Sequence, residues 1–226
     1  MKSEIINNLT PLLSIETSSG ECGACVYFNN DKFYQKIIRH KNIHAEKIFE
    51  TIDSVLNSAQ LKPADLKVVA ISNGPGSFTG LRIGMSAAKG IAYGSSIPII
   101  PVPTFEALAL QIVKILPDNS IFAVANKVNI DEVYFAKFQI KANNYIFAEN
   151  LRIMTYNDFL ISSKNVLTFG NAYRNKESYS NYKPDIFAPE PVYVAEWAVV
   201  YGKENVLKDI DYIEPNYLKN FTIKVR

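Results

Sequence analysis

The stretch Ser72-Asn73-Gly74-Pro75-Gly76-Ser77-Phe78-Thr79-Gly80-Leu81-Arg82-Ile83-Gly84 organises the chain around it. It follows an apolar run, Val68-Val69-Ala70-Ile71, which is bounded by turn residues and reads as a buried strand. Beyond it, residues 81–93 are rich in Ala, Leu, Ile and Met and read as a helix. Ser77 or Thr79 is placed to cap that helix by accepting a free first-turn N–H. A strand, a glycine turn and a helix in succession can cradle phosphate, because free N–H groups at a helix start face an anion. The spacing argues against two common versions. Gly74, Gly76 and Gly80 give G-x-G-x-x-x-G, which is too long for the dinucleotide fingerprint, and no Gly-Lys-Ser/Thr marks a P-loop. Pro75 removes one donor from the turn. As a bare pattern it also reads as a tight strand-to-helix connection.

Working back from the loop, residues 42–58 place Ala45, Ile48, Phe49, Ile52, Val55 and Leu56 on one helical face. Before them, residues 12–16, 25–28 and 32–39 read as strands, with Asn29-Asn30-Asp31 as a hairpin turn. Residues 1–10 are a polar, flexible lead. Working forward, residues 98–102 read as a buried strand and 104–115 as a helix. Strands at 121–125, 132–140 and 145–154 follow, then a short helix at 158–162 and a strand at 166–169. Residues 173–191 read as loop and 194–207 as a final helix. Tyr134, Ala136, Phe138 and Ile140 alternate to one face, as in a half-buried sheet. Two strand-rich halves with interleaved helices imply an α/β fold of two similar subdomains, divided as 1–103 and 104–226.

Composition narrows the classes. The 226 residues suffice for one domain or two small ones, and 48% hydrophobic with 20% charged residues is ordinary for a globular protein. A net charge of +2 leaves no electrostatic footprint for nucleic acid. The first residues lack a signal peptide's apolar segment, and no run approaches the roughly 20 apolar residues that span a bilayer. Together with only two cysteines, this gives the expectation of a cytoplasmic protein with reduced thiols.

All the cysteines and histidines lie close together, as Cys22-x-x-Cys25 and His40-x-x-x-His44, a loose two-Cys, two-His zinc spacing. A zinc-dependent nucleic-acid module is therefore one alternative. Three details weaken it: residues 32–39 read as strand, Asn29 stands where a finger has an aromatic, and a chain of this size has a core without a metal staple. No metal site and no cofactor are expected.

One further row stands out. Gly80, Gly84, Ala88 and Ala92 lie four residues apart, so they share a helix face over which another element can approach closely. Two helical glycines cost about 1 kcal/mol each against alanine. The row serves either packing on the domain's own sheet or a helix–helix subunit contact.

The string Gly74-Pro75-Gly76-Ser77-Phe78-Thr79-Gly80-Leu81-Arg82-Ile83-Gly84, with the distant elements, resembles the TsaB (YeaZ) family, over roughly residues 11–221. The tail Glu214-Pro215-Asn216-Tyr217-Leu218-Lys219 is similar to the family's E-P-x-Y-L-R ending, with Lys219 in place of Arg. Its plainer reading is an extended segment packing Tyr217 and Leu218 on the body. The resemblance implies the duplicated actin/hexokinase/Hsp70-like (ASKHA) fold. It also implies a scaffold paralogue of the TsaD/Kae1-like transferase that makes N6-threonylcarbamoyladenosine (t6A) in tRNA.

By the same resemblance, the helices at 42–58 and 79–93 would pair with their counterparts in the transferase, with Ile48, Phe49, Ile52, Gly80, Gly84, Ala88 and Ala92 at the interface. A TsaE-like ATPase would join the assembled complex, tRNA would be reached through it, and the chain alone would form a homodimer. Glu16 stands where the superfamily has an acid for nucleotide-bound Mg²⁺, although a turn-capping carboxylate explains it as well. With Gly74, Gly76, Ser77 and Thr79 it would form a vestigial nucleotide loop.

The transferase's metal-binding His-x-x-x-His falls on Thr104 and Leu108, neither of which replaces imidazole. Asn126 stands where relatives often have an acid, and the spacing before Glu132-Val133-Tyr134 is one residue longer. Catalysis by the chain itself is therefore not expected. An independent ATPase or kinase of the same fold is the other alternative.

Overall fold

The computed structural model describes residues 9–40, 44–174, 181–183 and 185–218. Ten strands form two five-stranded sheets. The first contains β1 (Leu12–Glu16), β2 (Cys22–Asn29), β3 (Lys32–Ile38), β4 (Val68–Gly74) and β5 (Ile99–Pro103), in the order β3-β2-β1-β4-β5. The second contains β6 (Ile121–Lys127), β7 (Glu132–Lys141), β8 (Asn144–Thr155), β9 (Leu167–Gly170) and β10 (Tyr182–Lys183), in the order β10-β9-β6-β7-β8. Three successive antiparallel strands open each sheet, β1-β2-β3 in one and β6-β7-β8 in the other. Each opening strand then pairs in parallel with a later one, β1 with β4 and β6 with β9. The two sheets thus share one topology, which is the duplication expected from the sequence.

Five α-helices stand among the described elements: α1 (His44–Ala59), α2 (Phe78–Ser95), α3 (Thr104–Val113), α4 (Tyr156–Ser162) and α5 (Pro191–Tyr201). Ser77 caps α2, its Oγ accepting Gly80 N–H at 3.2 Å, so the helix starts three residues before the expected 81. α5 departs most from the sequence reading of 194–207. Pro191 starts it, its fixed φ suiting a first turn where no N–H is needed. The helix ends at Tyr201, and Leu207 instead exchanges backbone hydrogen bonds with Ile99 of β5.

By their contacts, the described residues of 1–115 and 188–215 form one compact unit, and those of 116–187 with 216–218 form the other. Thus α3 and α5 lie with the first sheet, whereas the sequence reading placed the division at 103/104. Polar contacts tie them there: Gln35 donates to Glu190, Gln111 accepts Glu190 N–H, and the buried Ser14 Oγ donates to Pro191 O. In the first unit Ile48, Ile52, Val55 and Leu56 of α1 pack with Leu13, Ile15, Val69, Ile71 and Met85. Each such side chain contributes about 1.5–3 kcal/mol by leaving water. In the second unit Phe135 of β7, Phe159 of α4 and Tyr173 form an aromatic core.

The glycines of α2 divide by surroundings. A Cβ at Gly84 would lie under 3.0 Å from Thr17 Oγ1, whereas one at Gly90 or Gly94 would meet nothing within 4 Å. Gly84→Ala is expected to destabilise by about 1–3 kcal/mol through overpacking. Gly90→Ala should stabilise by about 0.5–1 kcal/mol through helix propensity. Urea midpoints of the two variants check these opposite signs.

Candidate functional site

The glycine loop is held at both ends by the chain's own polar groups. Gly74 N–H donates to the buried Thr104 hydroxyl at 3.1 Å, and Ser77 N–H donates to Ser18 O at 2.7 Å. Gly76 and Gly80 lie so close to the turn after β1 that a Cβ on either would fall under 3.0 Å from the carbonyls of Ser18 and Thr17. The Ser77 N–H, a donor that could otherwise face a phosphate, is taken by this turn. Thr17 Oγ1 lies buried against α2 at Gly84 and has no hydrogen-bond partner among the described residues.

Glu16 is 2% exposed at the end of β1. It accepts Ser18 N–H at 2.6 Å, Ser18 Oγ at 2.5 Å, and the Ser72 hydroxyl of β4. Burial pushes its carboxyl up to about 7, against the weaker pull of these donors. The group ties the β1 turn to the end of β4, as a turn-capping carboxylate would.

The residues expected at a partner interface separate into two sets. Ile48 and Ile52 belong to the first core, and Gly80, Gly84, Ala88 and Ala92 are buried on the inner side of α2. The close approach permitted by the row is made by the chain's own first strand and turn, which is the packing alternative. Phe49, 56% exposed, is the one member of the expected set at the surface.

The outer side of α2 presents Arg82, Ser86, Gly90, Tyr93 and Gly94, with Tyr93 80% exposed. Ser86, Gly90 and Gly94 form a second small-residue row at four-residue spacing. It is offset by two positions, hence about 200°, from the first. The signal was in the sequence, where periodicity alone did not say which row faces outwards.

Neither metal reading finds its ligands assembled. Thr104 and Leu108 are both buried, the Thr104 hydroxyl engaged by Gly74. Cys22 packs in the core with Ala24 and Val26, while Cys25, an odd number of residues away on β2, points to the other face. Burial pushes their thiols up to about 11 and about 12, which keeps them protonated. His44 Nε2 lies 2.9 Å from Glu21 O, and His40 is exposed beyond β3. Among the described residues no three His, Cys, Asp or Glu side chains converge as a metal site.

Comparison with known proteins gives two kinds of match. The family model for the tRNA N6-adenosine threonylcarbamoyltransferase TsaD matches residues 39–149. A Staphylococcus haemolyticus enzyme of that name is 32% identical over 113 residues, covering 43% of this chain but 33% of the enzyme. The tRNA threonylcarbamoyladenosine biosynthesis protein TsaB of Haemophilus influenzae is instead 28% identical over 230 residues, 95% of each chain. Along nearly its whole length the chain is similar to the TsaB (YeaZ) family. Bacillus subtilis TsaB is 34% identical over 98 residues, 43% of each chain. YeaZ from Pseudomonas aeruginosa shares the fold, with TM-score 0.76, 17% identity and coverage of 92% of this chain and 99% of that one.

Two departures from the TsaB pattern have local explanations. Asn126 is buried, its amide donating to Phe187 O at 2.9 Å and accepting Asn171 N–H at 3.1 Å. Both halves of the side chain therefore anchor backbone beside Gly170. The longer loop before Glu132 closes on itself, Asn129 Oδ1 accepting the N–H groups of Asp131 and Glu132. In the tail, Tyr134 donates its hydroxyl proton to Tyr217 O at 3.1 Å. Tyr217 is half-buried, but Leu218 is 44% exposed rather than packed, and Lys219 lies outside the described residues.

Glu16 has a pH signature. Its folded pKa of about 7 lies above the ordinary 4.5, so the folded state favours the protonated carboxyl. Its contribution is complete below pH 4.5 and is lost as pH rises through 7. Chemical denaturation from pH 5 to 8 should show wild-type stability falling by roughly 2–3 kcal/mol from this group. In Glu16→Gln that part of the slope should vanish.

Proposed function

We propose that this chain acts in tRNA threonylcarbamoyladenosine synthesis, as the subunit that pairs with a TsaD-like transferase and holds it in an active conformation. The full-length relation to proteins named for that biosynthesis supports the role, and the outer face of α2 supports the mode. Gly90 and Gly94 cost helix stability that nothing inside the chain requires, since a Cβ at either would stand in open space. The shortfall is understandable if another helix crosses there, with Tyr93 supplying an apolar anchor beside the bare backbone and Phe49 an exposed apolar side chain on α1. The transferase family model matches the region containing α1 and α2, so a partner with two similar helices can meet this face in a quasi-symmetric pair. The same logic permits a homodimer when the transferase is absent.

In this reading the transferase supplies the catalytic metal, because Thr104 and Leu108 replace its histidine ligands here. A TsaE-like ATPase joins the assembled complex, and tRNA is reached through it in the cytoplasm. An independent ATPase or kinase draws little from the loop, whose Ser77 N–H is taken by Ser18 O and whose neighbouring carboxyl, Glu16, is raised by burial to about 7.

Light scattering on the protein alone and mixed with the transferase of the same cell tests the reading. A new 1:1 species is expected, and no association at micromolar concentrations would overturn it. Gly90→Trp should leave the circular dichroism spectrum unchanged and weaken pairing by about ten-fold or more. The buried Ala88→Trp should instead damage the fold.

A further inference from the structure

We propose that Thr104 is a positioning residue for the pairing face of α2, acting through its hydrogen bond to the glycine loop. The inference rests on the reading that α2 pairs with a transferase. β4 and β5 end side by side at Gly74 and Pro103, and their parallel register shifts between Ser72 and Gly74. At that irregularity the Gly74 N–H takes a side-chain acceptor, the hydroxyl of Thr104, itself 1% exposed at the start of α3. A buried N–H left unpaired is costly, so this bond fixes where the loop departs from the sheet.

The chain reverses there, at Gly74 with φ of +113°. Only Pro75 and Gly76 separate it from Ser77, whose N–H is bonded to Ser18 O and whose hydroxyl caps α2. The loop therefore has an anchor at each end and little slack between them. Beyond it, Gly80 and Gly84 leave no clearance between α2 and the turn at Thr17. A movement of the loop is passed to the helix as a rigid body. Pairing across Ser86, Gly90 and Gly94 relies on short-range contact between backbones, and dispersion falls steeply with a gap of even half an ångström or so. Thr104 thus sets the pairing geometry without touching the partner.

The test compares Thr104→Val, which keeps the shape and loses the acceptor, with Thr104→Ser, which keeps the hydroxyl. Each is titrated into the transferase by calorimetry, alongside hydrogen exchange on the free protein. The Val variant should fold and pair about ten-fold more weakly, and Ser should stay within about two-fold of the parent. The amides of Gly74 and the first turn of α2 should exchange faster in Val and not in Ser. A residue with a merely structural role would lower the melting temperature without this split. If Val melts too early to titrate, Thr104→Ala takes its place under the same criterion. Equal pairing by the parent and the hydroxyl-free variant overturns the inference while leaving the proposed function standing. A parent that does not pair at all overturns both.

Discussion

The tight seating of α2 against the turn after β1 is the constraint on which the first unit depends. Gly76 of the loop and Gly80 and Gly84 of the helix bring backbone against the carbonyls of Thr17 and Ser18 and the Thr17 side chain, closer than any Cβ would allow. Around that contact, Glu16 joins the turn to β4 through Ser72, and Thr104 joins the loop to the end of β5. Strand β1, central in its sheet, thereby fixes both the loop and the helix that follows.

The same packing assigns roles to the two sides of α2. Its inner side is consumed by Thr17, Ile71 and the core around Met85 and Ala88, so the small residues there serve the fold. Its outer side keeps glycines that the fold does not need. The glycine loop is a mounting for the helix that follows it. The polar groups at its ends are used within the chain, and the carboxyl beside it is buried among neutral partners.

The two sheets repeat one topology while their surroundings differ. In the first unit, α3 and α5 are fastened by Gln111, Gln35 and Glu190. In the second, an aromatic cluster around Phe159 and Tyr173 covers one face of the sheet, and Asn126 has become a brace for the backbone at Asn171 and Phe187. Replacing a charged acid by a neutral amide suits that place, because an amide both donates and accepts, and here it does both.

The sequence by itself determined the strand, loop and helix order, the duplicated α/β class and the resemblance to the TsaB (YeaZ) family, because alternation, helical periodicity and an eleven-residue motif are local signals. It also marked Thr104 and Leu108 as departures from the transferase pattern, and Asn126 as a departure from the TsaB-like one. It did not decide which small-residue row of α2 faces inwards, because two rows offset by about 200° have the same spacing. That choice was made by Thr17 and Ser18, some sixty residues earlier in the chain. Nor did local pattern place the start of α5 or the return of its helix to the first sheet. Those depend on Pro191 and on hydrogen bonds to Gln35 and Ser14, partners far apart in sequence that only the tertiary structure brings together.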